Sequence, residues 1–128
     1  MAETDCASNE SRDWSRHAAS WILWWGLPVV IAVSTDFMKL TLTATAFVFA
    51  GVFAWAGTGC VLNAWRCSRL HCFFMGPTLW LGAIAAGLVG GGLIPGAHAL
   101  DNVVLITAVL AALSCVSEKI WGKYARQH

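Results

Sequence analysis

The chain has 128 residues, 58 % of them apolar and only 12 % charged, with a net charge of +1 and a mean hydropathy of +0.64. A soluble domain of this size leaves much of its surface in water and carries about twice that share of charge, so the composition excludes a soluble fold and requires lipid as part of the solvent. A balance of +1 also excludes the basic field that nucleic-acid binding needs, and leaves the placement of charges more informative than their sum.

The first 17 residues form a polar head. It mixes Glu3, Asp5, Glu10 and Asp13 with Arg12 and holds one thiol, Cys6. A secretory signal opens with a basic stretch, so this head predicts an uncleaved start, and the small-residue run "AVS" at 32–34 reads as helix interior rather than a cleavage site. The head is expected to be loosely ordered, with Trp14 to His17 leading into the first helix along the membrane surface.

Four apolar stretches follow, at 18–35, 40–62, 73–94 and, by extending the short run 103–117 at both ends, 100–121. Each approaches the roughly 20 residues that a helix needs to cross the hydrocarbon. Backbone groups in lipid must be satisfied within the segment, which favours helices here over barrel strands. The connections are short, so consecutive helices should be antiparallel. The predicted fold class is therefore all-α: an integral membrane four-helix up-and-down bundle over residues 18–121, followed by a basic tail at 122–128.

Within the first stretch, Pro28 beside Gly26 should kink or loosen the helix, because proline removes a donor and clashes one turn back. Thr41, Thr43, Thr45 and Thr58 are expected to bond backbone carbonyls rather than line a channel. In the third stretch the pairs Gly87/Gly91, Gly92/Gly96 and Gly82/Ala86 have the spacing that lets helices approach closely, while the run Gly90 to Gly92 weakens the helix at that end. Pro77 suits a first helical turn.

Arg12, Arg16, Arg66, Arg69, Lys119, Lys123 and Arg126 fall at one end of this arrangement and Lys39 alone at the other. That bias predicts an inner (plasma) membrane protein, multi-pass, with both termini cytoplasmic and with Trp65 and Trp121 in the inner headgroup region. On the outer side His98 and Asp101, with Asp36 and Met38, could hold a cation or proton; the simpler reading makes Asp101 the cap of the fourth helix and the others solvated loop residues.

The cysteines gather at the inner end. Cys60 lies near the end of the second helix, Cys67 and Cys72 flank the inner loop with His71 between them, and Cys115 lies near the end of the fourth helix. A reducing cytoplasm makes a disulfide framework unlikely to persist there, which leaves free thiol chemistry to consider. If the second helix runs on, Cys60, Cys67 and His71 share one stripe; if the chain turns at Cys67, then Cys67 and Cys72 converge. Arg66 and Arg69 would favour thiolates and also serve as topology anchors. The candidate metal ligands are Cys60, Cys67, His71, Cys72 and Cys115, although single cysteines such as Cys60 and Cys115 also serve as small apolar fillers. Their spacing matches no common zinc pairing, whereas thiolates select Cu(I) and, by the same softness, Hg(II).

The run "NAWRCSRLHCFFMGP" at 63–77 resembles a block of the form N-A-x-R-C-x-R-x-H-C followed by Gly-Pro in small uncharacterised bacterial membrane proteins. More loosely, a short four-helix chain with paired cysteines at the cytoplasmic face is similar to the mercury-uptake membrane proteins of bacterial resistance systems. Those proteins also carry a cysteine pair in the first helix, and "WILWWGLPVVIAVS" has none. The resemblance thus implies an inner-face site rather than a thiol relay across the membrane. The expected function is binding and handing over a thiophilic metal ion, without enzymatic activity; the alternative is a non-enzymatic subunit or assembly partner of a larger complex, or a homo-oligomer, working through Gly-rich and Trp-rich faces. A thiol redox enzyme is disfavoured, since no Cys-x-x-Cys pair or nucleotide signature accompanies the thiols.

Overall fold

The computed structural model describes residues 12–96 and 98–121; Cys6 and the tail at 122–128 lie outside them. Four helices run up and down: α1 (Ala18–Met38), α2 (Leu42–Cys67), α3 (Leu70–Gly90) and α4 (Ala99–Trp121), with a short 3-10 turn, Trp14–Arg16, ahead of α1. All four are long and apolar enough to span a membrane, and the protein is a small all-helical, multi-pass membrane protein.

α2 and α3 form the central pair, with α1 leaning on α2 and α4 on α3. In their most apolar stretches 33 % of α2 and 39 % of α3 are buried, against 11 % of α1 and 17 % of α4. The flanking helices therefore offer most of their apolar surface to lipid. The core follows the α2–α3 seam: Phe53, Ala56, Cys60 and Ala64 meet Cys72, Leu79 and Ala83. A second cluster, Ala46, Ala86, Val89 and Leu100, fills the other end.

Close approach at the seam comes from a glycine pair that the sequence reading did not single out. A Cβ on Gly57 would fall 2.8 Å from the Trp80 ring and 3.2 Å from the Gly76 carbonyl, and one on Gly76 would fall 2.7 Å from Val61. Gly82 does the same for α4, since a Cβ there would meet Thr107 at 2.6 Å. Gly87 differs: its surroundings are open, so the expected Gly87/Gly91 packing motif is not used.

Helix ends depart from the apolar boundaries because turn chemistry, not hydropathy, sets them. α2 runs on to Cys67 and stops at Ser68, which takes a left-handed φ of 55° and donates its N–H to the Ala64 carbonyl at 2.8 Å. With extended Arg69 this makes a two-residue turn, and α3 starts at Leu70. Pro77 consequently lies inside α3 rather than in its first turn. At its far end α3 closes in a Schellman motif: Gly92, at φ 75°, donates to the Val89 carbonyl and Leu93 to the Leu88 carbonyl, at 3.0 and 2.9 Å. α4 starts at Ala99, so Asp101 falls in its first turn rather than capping it.

Pro28 disturbs α1 in a specific way. The stretch Ile22–Gly26 is π-helical, and Leu27 bonds back five residues to the Ile22 carbonyl. The next such bond would run from residue 28 to Leu23, but proline has no N–H. The indole Nε1 of Trp55 on α2 donates to that Leu23 carbonyl instead, at 3.1 Å. Thr58 bonds the Ala54 carbonyl as expected, and Ser114 bonds the Leu110 carbonyl in the same way, whereas Thr41 instead caps α2, its hydroxyl accepting the Ala44 N–H at 3.2 Å.

Candidate functional site

The Ser68–Arg69 turn decides how the ends of α2 and α3 face each other, and with them the thiols. Because the chain reverses there, Cys67 closes α2 while His71 and Cys72 lie in the first turn of α3. Cys60, two turns earlier, meets Cys72 across the seam, the two packed in one buried cluster. Both are fully buried, as is Cys67. Each of the paired sulfurs also accepts an N–H: Cys60 from the Trp25 indole at 3.3 Å, and Cys72 from the Asn63 amide at 3.7 Å. The imidazole Nε2 of His71 lies 3.4 Å from Cys72 Sγ.

Cys67 points elsewhere. Its thiol donates to the Asn63 backbone carbonyl at 3.0 Å, one turn back in its own helix. The convergence expected between Cys67 and Cys72 is therefore met by Cys60 and Cys72, with Cys67 joined to them through Asn63. Cys115 is exposed on α4, its thiol turned toward the Ala111 carbonyl at 3.8 Å, close enough to Cys60 for the two to interact electrostatically but not buried with it. The five expected ligands are not gathered into one cluster: among the described residues no group of three or more His, Cys, Asp or Glu is arranged to hold a metal ion. What is assembled is a buried dithiol with an imidazole at its edge.

Two residues central to this end were missed as site residues. Asn63 is fully buried; its amide N–H₂ donates to Asp13 Oδ1 at 2.9 Å, and its Oδ1 accepts the Trp14 backbone N–H at 2.9 Å. Asp13, placed by sequence in a loosely ordered head, is also fully buried and forms an ion pair with Arg69 at 2.6 Å. Asn63 falls one position past the expected span 40–62, so it read as a loop amide, and only the continuation of α2 to Cys67 places it inside a helix. No signal in the sequence marks Asp13 either, whose partners lie 50 and 56 positions away.

Aromatic rings cover the same end. Trp14 stacks on Trp24 with centroids 5.5 Å apart and planes 7° from parallel, and the Arg66 guanidinium lies 4.6 Å above the Trp14 ring. Gly59 makes room for this, since a Cβ there would fall 2.8 Å from Trp24. Arg66 and Arg69 are thus engaged with the head. On the other side of the molecule His98 and Asp101 pair at 3.5 Å while both remain about four-fifths exposed, as solvated residues do.

Comparison of the chain with protein-family models, with curated proteins and with solved structures gives no match, so the reading of its function rests on these side chains.

Proposed function

We propose that this membrane protein binds a thiophilic metal ion, of the mercury or copper class, between Cys60 and Cys72 and hands it on by exchange of one sulfur at a time. It is a carrier rather than a catalyst. The observation that carries this reading is the meeting of two buried thiols from two different helices, with an imidazole 3.4 Å from one of them. Hg(II) and Cu(I) are satisfied by two sulfurs, whereas zinc takes four ligands, more than the described residues gather. Both sulfurs already serve as acceptors, from Trp25 and Asn63, and it is as an acceptor that sulfur ligates a metal. Binding releases thiol protons, and His71 is placed to take the one from Cys72. Cys67, joined through Asn63, is the next sulfur available for exchange. The basic end of the bundle faces the cytoplasm under the positive-inside bias, so hand-over is to a cytoplasmic thiol.

The test is titration of the detergent-purified protein with Hg(II), followed by the ultraviolet sulfur-to-metal absorption. One ion per chain is expected, lost in Cys60→Ser and in Cys72→Ser and retained in Cys115→Ser. Cys67→Ser should bind normally and release the ion more slowly to a competing small thiol. Unchanged binding in both Cys60→Ser and Cys72→Ser overturns the proposal.

A further inference from the structure

The thiol pair is closed off by a piece of chain that belongs to none of the four spanning helices. Asp13 and the Trp14–Arg16 turn lie across the end of α2, and each hold they have there is polar or aromatic rather than aliphatic. The Asp13 carboxylate bonds Asn63 and Arg69, the Trp14 N–H bonds Asn63, and the Trp14 ring lies between Trp24 and the Arg66 guanidinium. Asn63 lies directly beneath this strap and touches the thiols on its other side, through its amide to Cys72 and its carbonyl to Cys67. Asn63, Cys60, Cys67 and Cys72 have no exposed surface.

Such a strap has two defined states. With Asp13 paired to Arg69, the ion pair is buried on the carboxylate side and the turn is held down. Once either partner is removed, the other loses this opposite charge in a largely dry site, which favours release of the whole short turn into water. A three-residue turn has little internal structure to resist release, so it can open without unfolding the helices. We infer that Asp13 and the Trp14–Arg16 turn form a latch over the dithiol: closed, they shield Cys60, Cys67 and Cys72 from aqueous reagents, and parting of Asp13 from Arg69 admits them. The role of the latch as a control of metal access rests on the dithiol reading of the function; the latch itself rests on the geometry alone.

The test is the rate at which each cysteine of the full chain in detergent reacts with N-ethylmaleimide, read by mass spectrometry. In the unaltered protein Cys115 should react quickly and Cys67 and Cys72 slowly. Asp13→Ala and Arg69→Ala should speed Cys67 and Cys72 by about tenfold or more while leaving Cys115 unchanged, and Trp14→Ala should speed them less. Helical circular dichroism is followed in parallel; if either charge variant loses helicity, Trp14→Ala decides. Rates at Cys67 and Cys72 within about twofold of the unaltered protein in the helical variants overturn the latch, as does a rapid reaction of these thiols in the unaltered protein. Hg(II) titration separates the two ideas: opening without metal binding in any form keeps the latch and rejects the metal carrier, and metal binding with unchanged labelling does the reverse.

Discussion

At the end of the bundle that carries Asp13, buried polar groups are satisfied across elements far apart in sequence: Asp13 by Asn63 and Arg69, Cys60 by Trp25, Cys72 by Asn63. At the opposite end the turns are satisfied locally, by Thr41 accepting the Ala44 N–H, by the Schellman bonds of Gly92 and Leu93, and by an exposed His98–Asp101 pair. The glycines do not divide by end: Gly57 and Gly76 are filled by neighbours, Gly90 at the far end is packed against Ala46 and Phe47, and Gly87 beside it stands open. Tertiary bonds of this kind are expensive to leave half-made, so their concentration at one end marks where the fold depends on a single arrangement. Local turns impose no such demand.

Substitutions can break or sharpen that contrast. Gly57→Val should be the most damaging, because its side chain must displace Trp80 and meets the Gly76 carbonyl, which cannot rotate away; a loss of about 3 kcal/mol is expected in reversible denaturant unfolding. Asn63→Ala comes next, at about 2 kcal/mol by the same measurement, since it removes bonds to Asp13, Trp14 and Cys72 together. Gly87→Ala and His98→Ala, at the far end, should each stay within about 0.5 kcal/mol of the unaltered protein, with Gly87→Ala on the stabilising side. Equal losses for Gly57→Val and Gly87→Ala would abolish the distinction between the two ends.

The four spans were legible because length and apolarity are properties of each segment alone. Their ends were less so. Loss of apolar character after residue 62 marks where α2 approaches the polar region, but the helix continues until Ser68 takes a left-handed conformation, and nothing in "RCSRL" announces that serine will do so. The expected start of the third helix at 73 fell three residues late for the same reason, and this put Pro77 in a first turn it does not occupy. For the site, the chemistry of sulfur and the nearness of Cys72 and His71 could be read directly. The pairing of Cys60 with Cys72 could not, because it depends on the length of the turn between their helices, and the burial of Asp13 depends on partners that only the folded bundle brings within reach.

The bond from Trp55 to the Leu23 carbonyl makes the two helices dependent on each other. In α1 the Leu23 carbonyl is one that Pro28, lacking an N–H, cannot satisfy. An oxygen without a donor is costly in hydrocarbon, so α1 draws on an indole 32 positions later in the chain for a bond its own backbone lacks. In the folded bundle the side chain that completes the backbone bonding of the first helix is therefore supplied by the second.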